Sequence, residues 1–305
     1  VSGPVSLVKA QGRLVVAVPY LWLGLFFLAP FVMVLRIALS DAATALPPYA
    51  PHFEGFAALR DFLAGLDLEN FGLIWEDPLY WQSYLFSLRI AALTTLIALA
   101  IGYPLAYAMA SAPARWRAIL LVLVILPFWT SFLIRVYAWI GILRPEGLLD
   151  MALAALGLSD QPLRLLNTET AVLIGMVYSY LPFMVLPLYA TLEKLDRSLL
   201  EAAADLGATP LRAFVTVTLP LSLPGILAGS VLVFIPAIGE FVIPDLLGGP
   251  DTTMIGKVLW TEFFSNRDWP LASAVAVVLL VVLVLPLALL QRARLARAGE
   301  AGGRA

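Results

Sequence analysis

Six runs of apolar residues divide this chain, at about 14–40, 81–111, 117–143, 170–192, 221–247 and 270–291. About 20 helical residues, each rising about 1.5 Å, cross a hydrocarbon core roughly 30 Å thick, and only helices or closed barrels satisfy their own backbone there. The expected fold is an all-α integral membrane protein with six transmembrane helices in one domain, 1–305. With 61% hydrophobic and 13% charged residues and a mean hydropathy of +0.92, the chain is far from soluble composition, where about a quarter of residues are charged. The first run follows Lys9 and Arg13. It is longer than the roughly 7–15-residue core of a signal peptide, so it is read as an anchor, although Ala43-Thr44-Ala45 could mimic a cleavage site.

The same composition removes most enzyme chemistry. There is no cysteine, and the single His52 has no second histidine with which to build a metal site or triad. The stretch from Gly249 to Lys257 has six residues between its glycines where a phosphate loop has four, and Val258 stands where a magnesium-binding hydroxyl would be. No catalytic residue, metal, cofactor or nucleic-acid partner is expected.

Charge sets an orientation. Lys9, Arg13, Arg115, Arg117, Lys194, Arg197, Arg212 and the tail arginines Arg292, Arg294, Arg297 and Arg304 make eleven of the nineteen basic residues, all on one set of loops. The positive-inside rule puts those loops and both termini in the cytoplasm. The opposite loops hold fifteen acidic residues against five basic ones. A negative mouth concentrates cations, although an outer loop depleted of lysine by topology would look the same. Tyr80, Trp81, Tyr84, Trp116 and Trp269 stand at span ends, where aromatic side chains anchor to the interface.

One polar stretch interrupts this pattern. EAAADLGATPLRAFVTVTLP, from Glu201 to Pro220, opens with Glu201, Ala202 and Ala203. Ser198 and Glu201 have capping-box spacing, so a helix is expected to begin near Leu199. Gly207 is placed to end it in the left-handed conformation, and Thr209-Pro210 supplies an N-cap and a first-turn proline for a second helix. The prediction is helix, bend, helix. Ala202, Ala203 and Ala204 leave one side without bulk, open to close approach by another protein.

The spacing Glu-Ala-Ala, three residues, Gly207, nine residues, then Val-x-Leu-Pro at 217–220 resembles the signature loop of the permease subunits of binding-protein-dependent ABC importers, with Val217 where that family has isoleucine. The resemblance implies a type I importer permease fold in a bacterial inner membrane. It also implies that 193–220 is the cytoplasmic loop on which an ATPase docks, with Glu201 and Asp205 as polar contacts, Gly207 as the bend and Pro220 closing the motif.

Charges within the spans mark a second candidate site. Glu240 and Arg135 lie about seven and eight residues from the outer ends of their spans, at matched depths of roughly 10–12 Å. Charges at such depth face a protein interior or a water-filled path, and two roles are open: an ion pair between spans three and five, or contact with substrate. Pro236 and Pro244 flank Glu240 and are expected to break the helical ladder there. Gly225 and Gly229 have GxxxG spacing, which permits close helix packing. Trp129, Tyr137, Trp139, Tyr178 and Tyr180 either pack or present aromatic faces to a passage, where they could bind ammonium groups. Arg36 and Arg89 lie near outer ends, where snorkelling would serve them.

The segments 125–143, 180–196 and 234–260 are similar to those of polyamine importer permeases, above all those for putrescine, and the likeness runs from about Tyr20 to Leu290. It implies partnership with a second permease subunit, two ATPase subunits and a periplasmic substrate-binding protein, with membrane lipid around the spans and a polyamine as cargo. Glu240, Arg135, Trp129, Tyr137 and Asp245 are then the candidate path residues. Spermidine or another small metabolite is the alternative cargo. An ion-coupled secondary carrier is the alternative of another class, though no internal repeat is visible between spans 1–3 and 4–6.

Overall fold

The computed structural model describes residues 16–52, 60, 64–158, 163–196 and 198–302, with backbone alone at 286, 287 and 289–302. The described residues form twelve principal helices, named here α1 (Val16–Ala38), α2 (Glu69–Glu76), α3 (Pro78–Ser111), α4 (Ala114–Trp129), α5 (Phe132–Leu143), α6 (Leu148–Ala155), α7 (Glu169–Leu192), α8 (Ser198–Asp205), α9 (Pro210–Ile238), α10 (Val242–Leu247), α11 (Ile255–Trp260, extended by a π turn, Thr261–Asn266) and α12 (Trp269–Gly302). One antiparallel ribbon, β1 (Asp41–Ala42) with β2 (Tyr49–Ala50), pairs Asp41 with Ala50 and Ala42 with Tyr49.

Four of the expected spans are single helices long and apolar enough to cross a membrane: α1, α3, α7 and α9. The third expected span is a bent pair, α4 and α5, turning through 89° at the break. The sixth begins at Trp269, and its described apolar part, to Leu285, is shorter than the other four. The largest departure is the fifth, expected over 221–247. Its helix starts at Pro210 inside the polar stretch, runs to Ile238, and gives way to the separate α10.

Prolines explain two irregular turns. Pro30 and Pro220 each stand two residues after a π-helical turn, Gly24–Leu28 and Phe214–Thr218, where the Ala29 amide reaches back to Gly24 and the Leu219 amide to Phe214. A proline lacks its amide hydrogen and presses on the carbonyl four residues earlier, and one widened turn accommodates both defects without ending the helix. Pro220 therefore lies inside a continuous helix.

The chain divides into two units, Val1–Trp81 with Leu259–Ala305, and Gln82–Val258. In the first, α1 and α2 pack against α12. The buried Asn70 amide donates to the carbonyls of Ala38 (3.1 Å) and Ser40 (2.8 Å), answering groups that the end of α1 leaves open. Tyr80 and Tyr84 depart from the interface-anchor expectation, being only 5% and 7% exposed. The Tyr80 hydroxyl donates to the buried Glu262 carboxylate at 3.1 Å, and Asn266 donates to its other oxygen at 2.8 Å. Trp81 and Trp116 are exposed, as anchors require, while Trp269 is partly covered and stacks on Phe263 with centroids 4.9 Å apart. Arg36 donates to the Tyr49 hydroxyl at 2.9 Å.

The second unit is organised around α7, whose Met176, Met184, Val185 and Leu188 are fully buried. Its principal neighbour is α9, and the GxxxG pair lies at that contact. A Cβ at Gly225 would sit 2.6 Å from the Thr191 hydroxyl and one at Gly229 would sit 3.0 Å from the Met184 carbonyl, so only glycine admits this approach. Tyr103 of α3 and Ser222 of α9 are hydrogen-bonded at 2.9 Å. Arg89 of α3 pairs with Glu169 at the start of α7.

Candidate functional site

The stretch from Glu201 to Pro220 folds as helix, bend, helix. Gly207 has φ +79° and its amide bonds the Ala204 carbonyl at 2.8 Å, while the Ala208 amide reaches Ala203 at 2.9 Å. These two bonds make a Schellman ending, which glycine adopts without a Cβ penalty. The Thr209 hydroxyl then accepts the Arg212 amide at 3.4 Å with Pro210 in the first turn. The capping box departs from expectation: Ser198 is the first residue inside α8, and its amide donates to Asp196 at 3.0 Å. That amide and the Ser198 hydroxyl hold the exposed Asp196 carboxyl below its ordinary pKa.

The hairpin presents an unusual surface. Glu201, Ala202, Asp205 and Gly207 are exposed, and Ala203 is partly covered. Leu206 at the bend is 90% exposed and Leu211 74%. A groove of about 340 Å³ runs beside it, lined by Tyr107, Arg117, Glu193, Leu200, Glu201 and Thr218 among others. Arg117 donates to the Ala112 carbonyl at 2.8 Å and lies 3.5 Å from Glu193, tying the start of α4 to the end of α7 beside the hairpin.

The second candidate site is the break between α9 and α10. Residues 239–241 are not helical, and Glu240 occupies the gap. One carboxylate oxygen faces the amides of Phe241 (3.2 Å), Val242 (3.0 Å) and Ile243 (3.4 Å), capping α10, and the other accepts the Tyr180 hydroxyl at 2.7 Å. From behind, Gly256 presses on the same loop, where a Cβ would be 2.4 Å from the Gly239 carbonyl oxygen and 2.8 Å from that of Glu240. The prolines thus flank a real interruption, but the carboxylate is what organises it.

Glu240 and Arg135 do not pair, which corrects one of the two sequence expectations. The Arg135 guanidinium lies 4.9 Å from the Phe128 ring centre and 5.8 Å from that of Phe132, with its Nε and Nη1 buried and unbonded. The reason is local. The 89° turn before α5 brings the aromatic rings of Phe128 and Phe132 under the arginine, and Glu240 already has donors of its own. Asp245 is likewise occupied, 3.0 Å from Lys257. Trp129 and Tyr137 are 76% and 59% exposed, whereas Trp139 packs edge-on against Tyr178 at 5.4 Å.

Sequence reasoning named Tyr180 only as an aromatic face and did not connect it to Glu240, because the two are separated by sixty positions. It counted Asp41, Asp67 and Glu69 among the outer acids without bringing them together, whereas their exposed carboxylates lie within 4.8 Å of one another.

Residues 101–297 match the family described as binding-protein-dependent transport system inner membrane component. The spermidine/putrescine transport system permease protein PotB of Haemophilus influenzae is 42% identical over 273 residues, 90% of each chain. The protein of the same name in Escherichia coli is 46% identical over 217 residues, 71% of this chain and 79% of the relative. The Escherichia coli inner membrane ABC transporter permease protein YdcU is 33% identical and covers 79% of this chain and 81% of its own. Among solved structures, a bacterial alginate ABC transporter in complex with alginate pentasaccharide-bound periplasmic protein superposes with a TM-score of 0.66 at 17% identity, covering 92% of each chain. The inward-facing MetNI methionine ABC transporter superposes with a TM-score of 0.52 at 18% identity, covering 74% of this chain and 97% of that one. At such identities the likeness is one of fold. The family match and the curated relatives together place the chain among the binding-protein-dependent inner-membrane permeases of ABC importers.

Proposed function

We propose that the chain forms half of the translocation path of an ATP-driven polyamine importer, alongside a second permease subunit. Two ATPase subunits sit below the permease pair, one of them docked on the 198–216 hairpin, and a periplasmic binding protein delivers the cargo. Both termini and the hairpin lie on the cytoplasmic side, in keeping with the distribution of lysine and arginine. The observation that carries the reading is the hairpin itself. A Schellman bend at Gly207 and a capped restart at Thr209 present Leu206, Glu201 and Asp205 to solvent, as a docking knob requires. The polyamine assignment is supported by the spermidine/putrescine permeases among the relatives and by the excess of acidic residues on the outer loops.

Glu240 is the path residue with the most defined geometry. Its carboxylate has no cationic partner within 4.0 Å among the described residues, so an ammonium group is the natural visitor. The test is uptake of labelled putrescine and labelled spermidine into proteoliposomes holding this chain with its permease and ATPase partners and the binding protein, with and without internal ATP. Uptake that needs ATP and the binding protein, and is lost in Gly207→Asp while the protein stays in the membrane, is the expected result. Stimulation of the ATPase by a binding protein loaded with a different cargo overturns the substrate. Failure of any ATPase to associate overturns the docking role of the hairpin.

A further inference from the structure

The carboxylate at the 239–241 break accepts a side-chain hydrogen bond from another helix. We propose that Tyr180 is a positioning residue for transport, acting through Glu240, and that a substrate ammonium group displaces its hydroxyl from the carboxylate. The inference rests on the polyamine reading above and goes beyond it by naming the exchange that opens the break.

The geometry divides the Glu240 carboxylate into two halves. One oxygen is committed to the chain's own backbone, facing three successive amides of the α10 start. The other takes the Tyr180 hydroxyl at 2.7 Å, a charge-assisted bond of ordinary length. The backbone half cannot be given up without uncapping α10, whereas the Tyr180 half is a contact between two side chains. Tyr180 is itself 9% exposed, and its ring centre lies 6.2 Å from that of Phe183, so its ring and oxygen are held in place and only the O–H hydrogen is free to turn from the carboxylate.

An exchange at that oxygen selects for chemistry. The incoming group must donate a hydrogen bond and is favoured if it brings positive charge, because it replaces a neutral donor on a carboxylate. A primary ammonium satisfies both conditions. A carboxylate or a sugar hydroxyl does not, the first by repulsion and the second by offering no gain over tyrosine. Gly256 leaves no room behind the loop, so movement on release is directed away from α11.

The chain has no cysteine, which allows a direct test. A single Val242→Cys reporter is placed at the break in the assembled transporter, and its reaction with a membrane-impermeant maleimide is timed without substrate. Loss of one charge-assisted hydrogen bond predicts labelling about tenfold faster in Tyr180→Phe. Glu240→Gln should match it, and the double variant should be no faster than either alone. Putrescine added to the otherwise unsubstituted reporter protein should accelerate labelling, and should add little in Tyr180→Phe. Unchanged labelling in Tyr180→Phe, or effects of the two substitutions that multiply, overturns the latch. If both single variants speed labelling but neither putrescine nor spermidine does, while ATP-dependent uptake of either persists, the latch stands and the ammonium exchange falls; absence of that uptake overturns the polyamine reading instead. Glu240→Asp, which keeps the charge on a shorter arm, guards against misfolding: labelling intermediate between the unsubstituted and Gln proteins supports the exchange, and labelling equal to Gln overturns it.

Discussion

Two of the second unit's helix junctions, the hairpin between α8 and α9 and the break between α9 and α10, are built differently. At the hairpin, both halves carry their own caps: the amides of Gly207 and Ala208 close α8 on the carbonyls of Ala204 and Ala203, and Thr209 opens α9 by accepting from Arg212. Every partner lies within five positions. At the break, the start of α10 is capped by Glu240 and the carboxylate is steadied by Tyr180, sixty positions away on α7. The hairpin is a local device that any aqueous surface would support. The break depends on how α7 and α9 are packed, and so its integrity reports on the assembled bundle.

That dependence can be attacked most strongly at the packing itself. Gly229→Leu would drive a side chain into the Met184 backbone, where even a Cβ would lie 3.0 Å from the carbonyl oxygen. A cost above the roughly 1–3 kcal/mol of ordinary overpacking is expected, and the break should loosen with the α7–α9 contact. Detergent-solubilised protein should lose several degrees in its melting midpoint, and the Val242→Cys reporter should label faster. Normal labelling in this variant would show that the break does not depend on the helix pair.

Glu240→Leu comes next. It strips the cap from the α10 amides and leaves the Tyr180 hydroxyl without its acceptor, for an expected loss of about 2–4 kcal/mol from charge-assisted bonds that vanish together. Hydrogen exchange at Val242 and Ile243 should rise while exchange in the hairpin stays unchanged. Accelerated exchange in both places would merge the two junctions into one cooperative element.

The hairpin should respond more modestly. A Cβ at Gly207 meets no atom within 4 Å, so the expected penalty of Gly207→Val is chiefly that of a β-branched residue at φ +79°, about 1–2 kcal/mol. Thr209→Val removes a single cap bond and should cost about 1 kcal/mol, read as faster exchange at Arg212. The smallest effect concerns pH. Asp196 is held below its ordinary pKa by the Ser198 amide and hydroxyl, so its contribution to the start of α8 is present above the ordinary carboxylate value and is lost as pH falls through the lowered one. Exchange at Ser198 should quicken over that acid range, and Asp196→Asn should flatten the response.

The contrast between the junctions also explains what the sequence disclosed. Spans appear as runs of apolar residues, and the hairpin appears through Gly207 and Thr209-Pro210, because each of these signals sits beside the structure it governs. The start of α9 at Pro210 was visible in the same way, but its continuation through Pro220 was not, since the π turn that absorbs that proline leaves no mark in composition. Arg135 and Glu240 were matched by depth alone. Depth says nothing of the rings that receive the arginine or of the tyrosine that meets the carboxylate, and those neighbours are assembled only when α4, α5, α7 and α9 come together. Tyr80 misled for the same reason: a span-end aromatic that anchors in lipid and one that closes over a buried acid hold the same position along the chain.

The two junctions lie at opposite ends of α9. From Pro210 to Ile238 it is 29 residues of unbroken helix, about 43 Å at the usual rise and longer than a hydrocarbon core of about 30 Å. One end is the hairpin's second arm and the other delivers Glu240 to the break. A single helix therefore spans the distance between the two junctions, with no loop between them. The missing proline hydrogen bonds at 220, 224 and 236 then set where the helix flexes, two of them near the hairpin and one beside the break, with a stiff middle seated on α7 through Gly225 and Gly229.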